Sequence, residues 1–107
     1  DKISESIIYS IPNLHVYNID VVLDNKQNFN KSIITINSLL NGYSDSAVIG
    51  IYIYDKERKM ILKDNVDYTN KLDKKYNLDI NYLAISFIKL LVIDDGTVVE
   101  TAIKKVN

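Results

Sequence analysis

Apolar and polar residues alternate with a period of two along most of this chain, in short runs. The clearest run places Ala47, Ile49, Ile51 and Ile53 in one phase and Val48, Gly50, Tyr52 and Tyr54 in the other. Successive side chains of a strand point to opposite faces, so this run predicts a strand with its isoleucines in the core and its tyrosines outward. Both phases are largely apolar, as expected of a central strand. Further strands are predicted over 7–11, 14–23, 32–38, 59–62, 76–82 and 97–106. A phase change within 14–23 predicts a bulge near Tyr17-Asn18. Asn41-Gly42 and Asp95-Gly96 predict tight turns, because these residues tolerate a positive φ. The charged run Asp55-Lys56-Glu57-Arg58-Lys59 reads as a solvated turn, while 63–75 is polar and shows no clear period.

The apolar run 85–93 fits either a buried strand or a buried helix by periodicity alone. Its length, its β-branched residues and the Asp-Gly pair that follows favour a strand. The total is about seven or eight short strands with little helix signal. That pattern predicts an all-β fold, an immunoglobulin-like antiparallel sandwich of two sheets.

The length of 107 residues fits one domain spanning 1–107. Apolar residues make up 47% and charged residues 25%, enough to build one core and maintain a solvated surface. A net charge of −1 supplies no long-range field, which argues against a nucleic-acid partner. With no cysteine, the chain has no disulfide, thiolate zinc site or cysteine nucleophile. No apolar run approaches the ~20 residues of a membrane-spanning helix, so membrane insertion is not expected. The chain begins with Asp1, and the expectation is a processed protein or a domain of a longer one.

Few residues suggest chemistry. His15 is the single histidine, and no Gly-x-Ser-x-Gly elbow accompanies it. Asp94-Asp95, Asp64 with Asp67, and Asp55 with Glu57 are oxygen donors of the kind calcium takes, yet none sits in a spaced acidic loop with a central glycine. Turn chemistry accounts for them, and no catalytic residue, metal site or cofactor is expected. The tyrosines are the strongest binding candidates, because a phenol combines apolar area with a polar tip. Tyr52 and Tyr54, with Tyr43, form the candidate surface; Tyr68, Tyr76 and Tyr82 are further members.

Two stretches carry a resemblance. Residues 47–61 run as an apolar strand ending in Tyr54-Asp55, a basic turn, and a short strand opening at Met60. Residues 85–95 run apolar, Lys89, apolar, and end in an acidic turn. Together with Ile19 to Leu23 and the polar Asp24-Asn25, they resemble immunoglobulin-like accessory domains of bacterial cell-surface and secreted proteins. Val92 and Ile93 stand where that pattern places an aromatic residue, and its proline after the turn is missing. The resemblance implies a β-sandwich without catalytic residues, attached to an exported protein in the cell envelope or outside the cell. Its partner there would be a protein or a glycan.

The leading expectation is therefore a non-catalytic structural or interaction domain, a spacer or docking module. One alternative is a carbohydrate-binding module using surface tyrosines. Another is a small α+β ligand-binding or enzymatic domain, in which 85–93 is a helix.

Overall fold

The computed structural model describes the backbone of residues 15–25 and 28–107, and the side chains of 30–107. Seven strands form in this part of the chain: β1 (His15–Asn25), β2 (Asn28–Leu40), β3 (Val48–Asp55), β4 (Met60–Asp67), β5 (Lys71–Leu78), β6 (Ile85–Asp94) and β7 (Thr97–Lys105). One sheet has the order β1-β2-β5 and the other β4-β3-β6-β7. All pairings are antiparallel. This is the expected immunoglobulin-like sandwich, with the fourth strand beside the third rather than beside the fifth as in a constant-type domain.

The core lies between the sheets. Ile34, Ile36 and Leu40 of β2 meet Ile49, Ile51 and Ile53 of β3, and each is fully buried. Ile85, Ile88, Leu90 and Val92 of β6 and Leu72 of β5 complete it. Central position, with a paired strand on either side, explains why β3 and β6 are apolar in both phases. Residues 85–93 are strand, which removes the α+β alternative. Spacing within β6 is kept by a bulge: Tyr54 pairs with Phe87 and Asp55 with Ile85, leaving Ser86 as the extra residue. Both Ile85 and Ile88 thereby stay in the core.

Local signals held at the Asp95-Gly96 turn, where φ is 53° and 76°. Two consecutive positive φ values are the signature of the two-residue hairpin turn whose twist suits its strands. Between β3 and β4, Asp55 Oδ1 accepts from the amides of Glu57 and Lys59, while Arg58 takes a φ of 64°.

Other expectations are corrected. The register of β1 runs without a break from His15 to Leu23, and its shift falls between Leu23 and Asn25, not at Tyr17-Asn18. The partner strand explains this: β2 buries Ser32, Ile34, Ile36, Ser38 and Leu40 in unbroken alternation, leaving no place for an inserted residue. Asn41-Gly42 does turn the chain, with Gly42 at φ 93°, but it carries the chain from one sheet to the other instead of closing a hairpin. The polar stretch 63–75 contains most of β4 and the start of β5. The strand expected over 76–82 ends at Leu78 and is followed by a 3-10 turn, Tyr82–Ala84. The strand expected over 7–11 lies outside the described residues.

Candidate functional site

Register sets the outer face of the four-stranded sheet. Residues directly opposite in an antiparallel pair share a face. Tyr54 pairs with Met60 on one side and Phe87 on the other, and Phe87 in turn pairs with Lys105. In the next row Tyr52 stands between Lys63 and Lys89, and Lys89 pairs with Ile103. A third row holds Asn65, Gly50, Leu91 and Thr101. These three rows contain no carboxylate; the first acid on this face is Asp67, opposite Val48. Among the described residues there is no third layer over this face.

The two expected tyrosines do lie here, half-buried, in the phase opposite the buried Ile51 and Ile53. Their rings differ in posture. Tyr54 stacks on Phe87 with centroids 4.5 Å apart and planes 15° from parallel, and Lys89 Nζ reaches to 5.8 Å from the Tyr54 centroid. One face of Tyr54 is thus covered by a neighbouring ring. Tyr52 instead folds back along its own strand over Gly50. A Cβ at Gly50 would stand 2.7 Å from the Tyr52 hydroxyl and 2.8 Å from its ring carbon, well inside contact distance. Glycine therefore allows the hydroxyl edge of the ring to come close to the backbone, with the hydroxyl 3.4 Å from Asn65 Oδ1.

At the end of the sheet nearest the β3–β4 turn, Arg58, Ser86, Phe87, Ile103 and Lys105 line an open pocket of about 380 Å3. It continues the same face, and its only charged lining residues are basic. Ile103 is 50% exposed, so the floor of this region is apolar and open to solvent.

Tyr43 does not join Tyr52 and Tyr54. It lies on the link between β2 and β3, and its ring meets Tyr68 edge-on at 5.6 Å. Burial, and then the nearby Glu100 carboxylate, push its hydroxyl pKa well above the ordinary value. Tyr68 donates to the Leu40 carbonyl at 2.5 Å. Tyr76 faces the interior edge of the sandwich and donates to Asp64, and Tyr82 forms part of the 3-10 turn. The tyrosines thus serve several places, not one surface.

Three of the carboxylates considered as oxygen donors, those of Asp55, Asp64 and Asp94, are held in structural bonds. Asp55 caps its own turn. Asp94 accepts from the amide and hydroxyl of Ser44, at 3.3 and 2.7 Å. Asp64 pairs with the inward Ile51, whereas Asp67 pairs with the outward Val48, so the two acids point to opposite faces. Among the described residues no three His, Cys, Asp or Glu side chains gather as a metal site.

Lys63, Asn65, Phe87 and Lys89 were not singled out as site residues by sequence pattern. One signal was there: Lys89 interrupts an apolar run in phase with Phe87 and Leu91, which places a cation on an otherwise apolar face. Its position beside Tyr52 depends on strand pairing.

No protein-family model matches the chain, and no curated protein matches it. Among solved structures, the chain is similar to the β-glucuronidase of Parabacteroides merdae, with a TM-score of 0.63 at 12% identity over 83% of this chain and 12% of that one. A β-glucosidase 3B from Thermotoga neapolitana aligns with a TM-score of 0.37 at 10% identity, over 90% of this chain and 16% of that one. The GH3 β-glucosidase of Bifidobacterium adolescentis aligns with a TM-score of 0.40 at 8% identity, over 89% of this chain and 17% of that one. The chain spans only 12 to 17% of the length of these enzymes. Its likeness to the glucuronidase is a likeness of fold: a two-sheet β-sandwich that forms a small part of a much longer glycosidase chain.

Proposed function

We propose that this chain is a non-catalytic accessory sandwich of an exported bacterial protein, working as a spacer or docking module at the cell envelope or outside the cell. The observation that carries this reading is that the fold recurs as 12% of the length of a glycosidase chain. The carboxylates of Asp55, Asp64 and Asp94 add support, since each holds the fold together.

The test has two arms. Purified chain incubated with chromogenic β-glucosides and β-glucuronides should give no turnover above buffer. Fractionation of cells producing the parent protein should recover it from the envelope or the culture medium. Turnover that is lost on replacing one side chain of this domain, or a purely cytosolic protein, would overturn the reading.

A second reading, glycan binding, is favoured by one feature. The hydroxyl edge of the Tyr52 ring rests on Gly50, and a lysine stands on each side of Tyr52. A flat aromatic ring on a sheet offers the apolar face of a sugar a complementary surface.

A further inference from the structure

We infer that the outer face of the four-stranded sheet binds an anionic saccharide, one bearing carboxylate or sulfate groups, with Tyr52 as the stacking ring and Lys63 and Lys89 as the anion contacts. This rests on the glycan-binding reading above and adds the charge of the ligand.

Three observations lead there. The first is ring posture. Tyr54 shares a face with Phe87, whereas Tyr52 rests the hydroxyl edge of its ring on Gly50 and stacks on no other ring among the described residues, which leaves a ring face for a pyranose. The second is charge. Lys63 and Lys89 stand directly opposite Tyr52 on the two neighbouring strands, so their Cβ atoms lie about 5 Å to either side of that of Tyr52. Among the described residues neither lysine enters an ion pair, and no carboxylate occupies the three rows around the ring. A lysine stem can lie along apolar surface and carry its ammonium to an anion, and that of Lys89 lies 5.8 Å from the Tyr54 centroid, towards the neighbouring row. Asn65, beside the Tyr52 hydroxyl, adds an amide that can bond sugar hydroxyls.

The third is continuity. Two residues along a strand span about 7 Å. Next to the Tyr52 row lies the Tyr54–Phe87 row, and Phe87 and Lys105 of that row, with Ile103 of the Tyr52 row and with Arg58, line the pocket of about 380 Å3. That volume falls within the range of about 300–1,000 Å3 usual for small-molecule sites. A second or third sugar unit would meet the same chemistry, an apolar floor with cations at its margin. Glu57, in the turn beside Arg58, is the nearest acid in sequence and lies outside the rows. A second copy of this chain laid face to face would bring lysines against lysines, so the charge favours an anionic ligand over self-association.

The test uses calorimetric titration with trigalacturonate, its methyl ester, a chondroitin sulfate hexasaccharide, a neutral cello-oligosaccharide and a short poly-glutamate. Binding of trigalacturonate or the sulfated sugar is expected, weakened about tenfold or more in the methyl ester because the charge-assisted contacts are lost. Lys63→Gln and Lys89→Gln should each weaken binding and reduce its salt dependence. Tyr52→Ser should abolish it. Gly50→Ala keeps every contacting side chain but lifts the ring, and should also weaken binding. Circular dichroism and melting curves check that each variant stays folded, and the glutamine variants serve if the others do not.

Equal binding of neutral and anionic sugars would overturn the charge assignment and leave glycan binding standing. No binding of any sugar would overturn both. Poly-glutamate binding as tightly as the sugars, with Tyr52→Ser unaffected, would show a surface for acidic peptide and overturn the saccharide assignment.

Discussion

The hydroxyl of Tyr76 donates to Asp64 Oδ2 at 2.6 Å, and this bond ties β5 at the edge of one sheet to β4 at the edge of the other. Both side chains point inward, since Tyr76 pairs with the buried Ile34 and Asp64 with the buried Ile51. Lys74 Nζ lies 3.6 Å from the same carboxylate oxygen. An inward charge on an edge strand protects that edge from pairing with other chains, and here the charge is satisfied by partners from the facing sheet.

Tyr76→Phe removes the hydroxyl and leaves the ring. The expected cost is about 1–2 kcal/mol, the range for a partly buried bond to a charged acceptor, measured by urea denaturation. The same group sets an alkaline limit. Burial first, and the bond to Asp64 second, raise the Tyr76 pKa above its ordinary value of 10.0. The unfolded chain then loses this proton at a lower pH than the folded one. Stability is complete below about pH 10 and falls as pH rises from there towards the raised pKa. In Tyr76→Phe this slope should be shallower, with the rest coming from groups such as Tyr43, which is shifted the same way.

Ser32 and Ser38 form a matched pair on β2. Both are buried, but Ser32 Oγ donates to the Ile80 carbonyl at 2.5 Å, while Ser38 Oγ has no partner among the described residues. Ser32→Ala should cost about 1 kcal/mol, whereas Ser38→Ala should be neutral or stabilising by up to about 1 kcal/mol. Thermal melts of the two variants side by side decide this. A larger loss at Ser38 than at Ser32 would contradict it.

Ile51 is fully buried at the centre of β3, opposite Leu90 on one side and Asp64 on the other. Ile51→Ala should cost about 2–5 kcal/mol by equilibrium unfolding. Tyr52→Ser and Tyr54→Ser, on the outer face, should each cost about 1 kcal/mol or less from lost cross-strand packing.

EDTA should leave the melting temperature unchanged. The carboxylates of Asp55 and Asp94 are occupied by amides and a hydroxyl of this chain, and Asp64 by Tyr76. A melting temperature that drops on chelation would reveal a metal bound to the folded state.

The alternation in 47–54 was enough to assign its faces, because a strand has a period of two whatever it pairs with. Asp95-Gly96 likewise determined a hairpin, since its conformation is a property of those two residues. The sandwich class followed from the number and spacing of such runs. By contrast, the later part of β4 and the earlier part of β5 escaped the pattern because they are edge strands, with lysines, aspartates and asparagines at positions a central strand fills with apolar groups. Asn41-Gly42 looked like a hairpin because a local turn signal carries no information about which sheet receives the next strand. The candidate site shows the same division. Alternation placed Tyr52 and Tyr54 outward, but only the pairing of β3 with β4 and β6 set Lys63 and Lys89 beside Tyr52, Phe87 against Tyr54, and Tyr43 apart from both. Register between strands distant in the chain is decided by packing the two sheets around one core, and a one-residue slip would turn every one of those side chains to the other face.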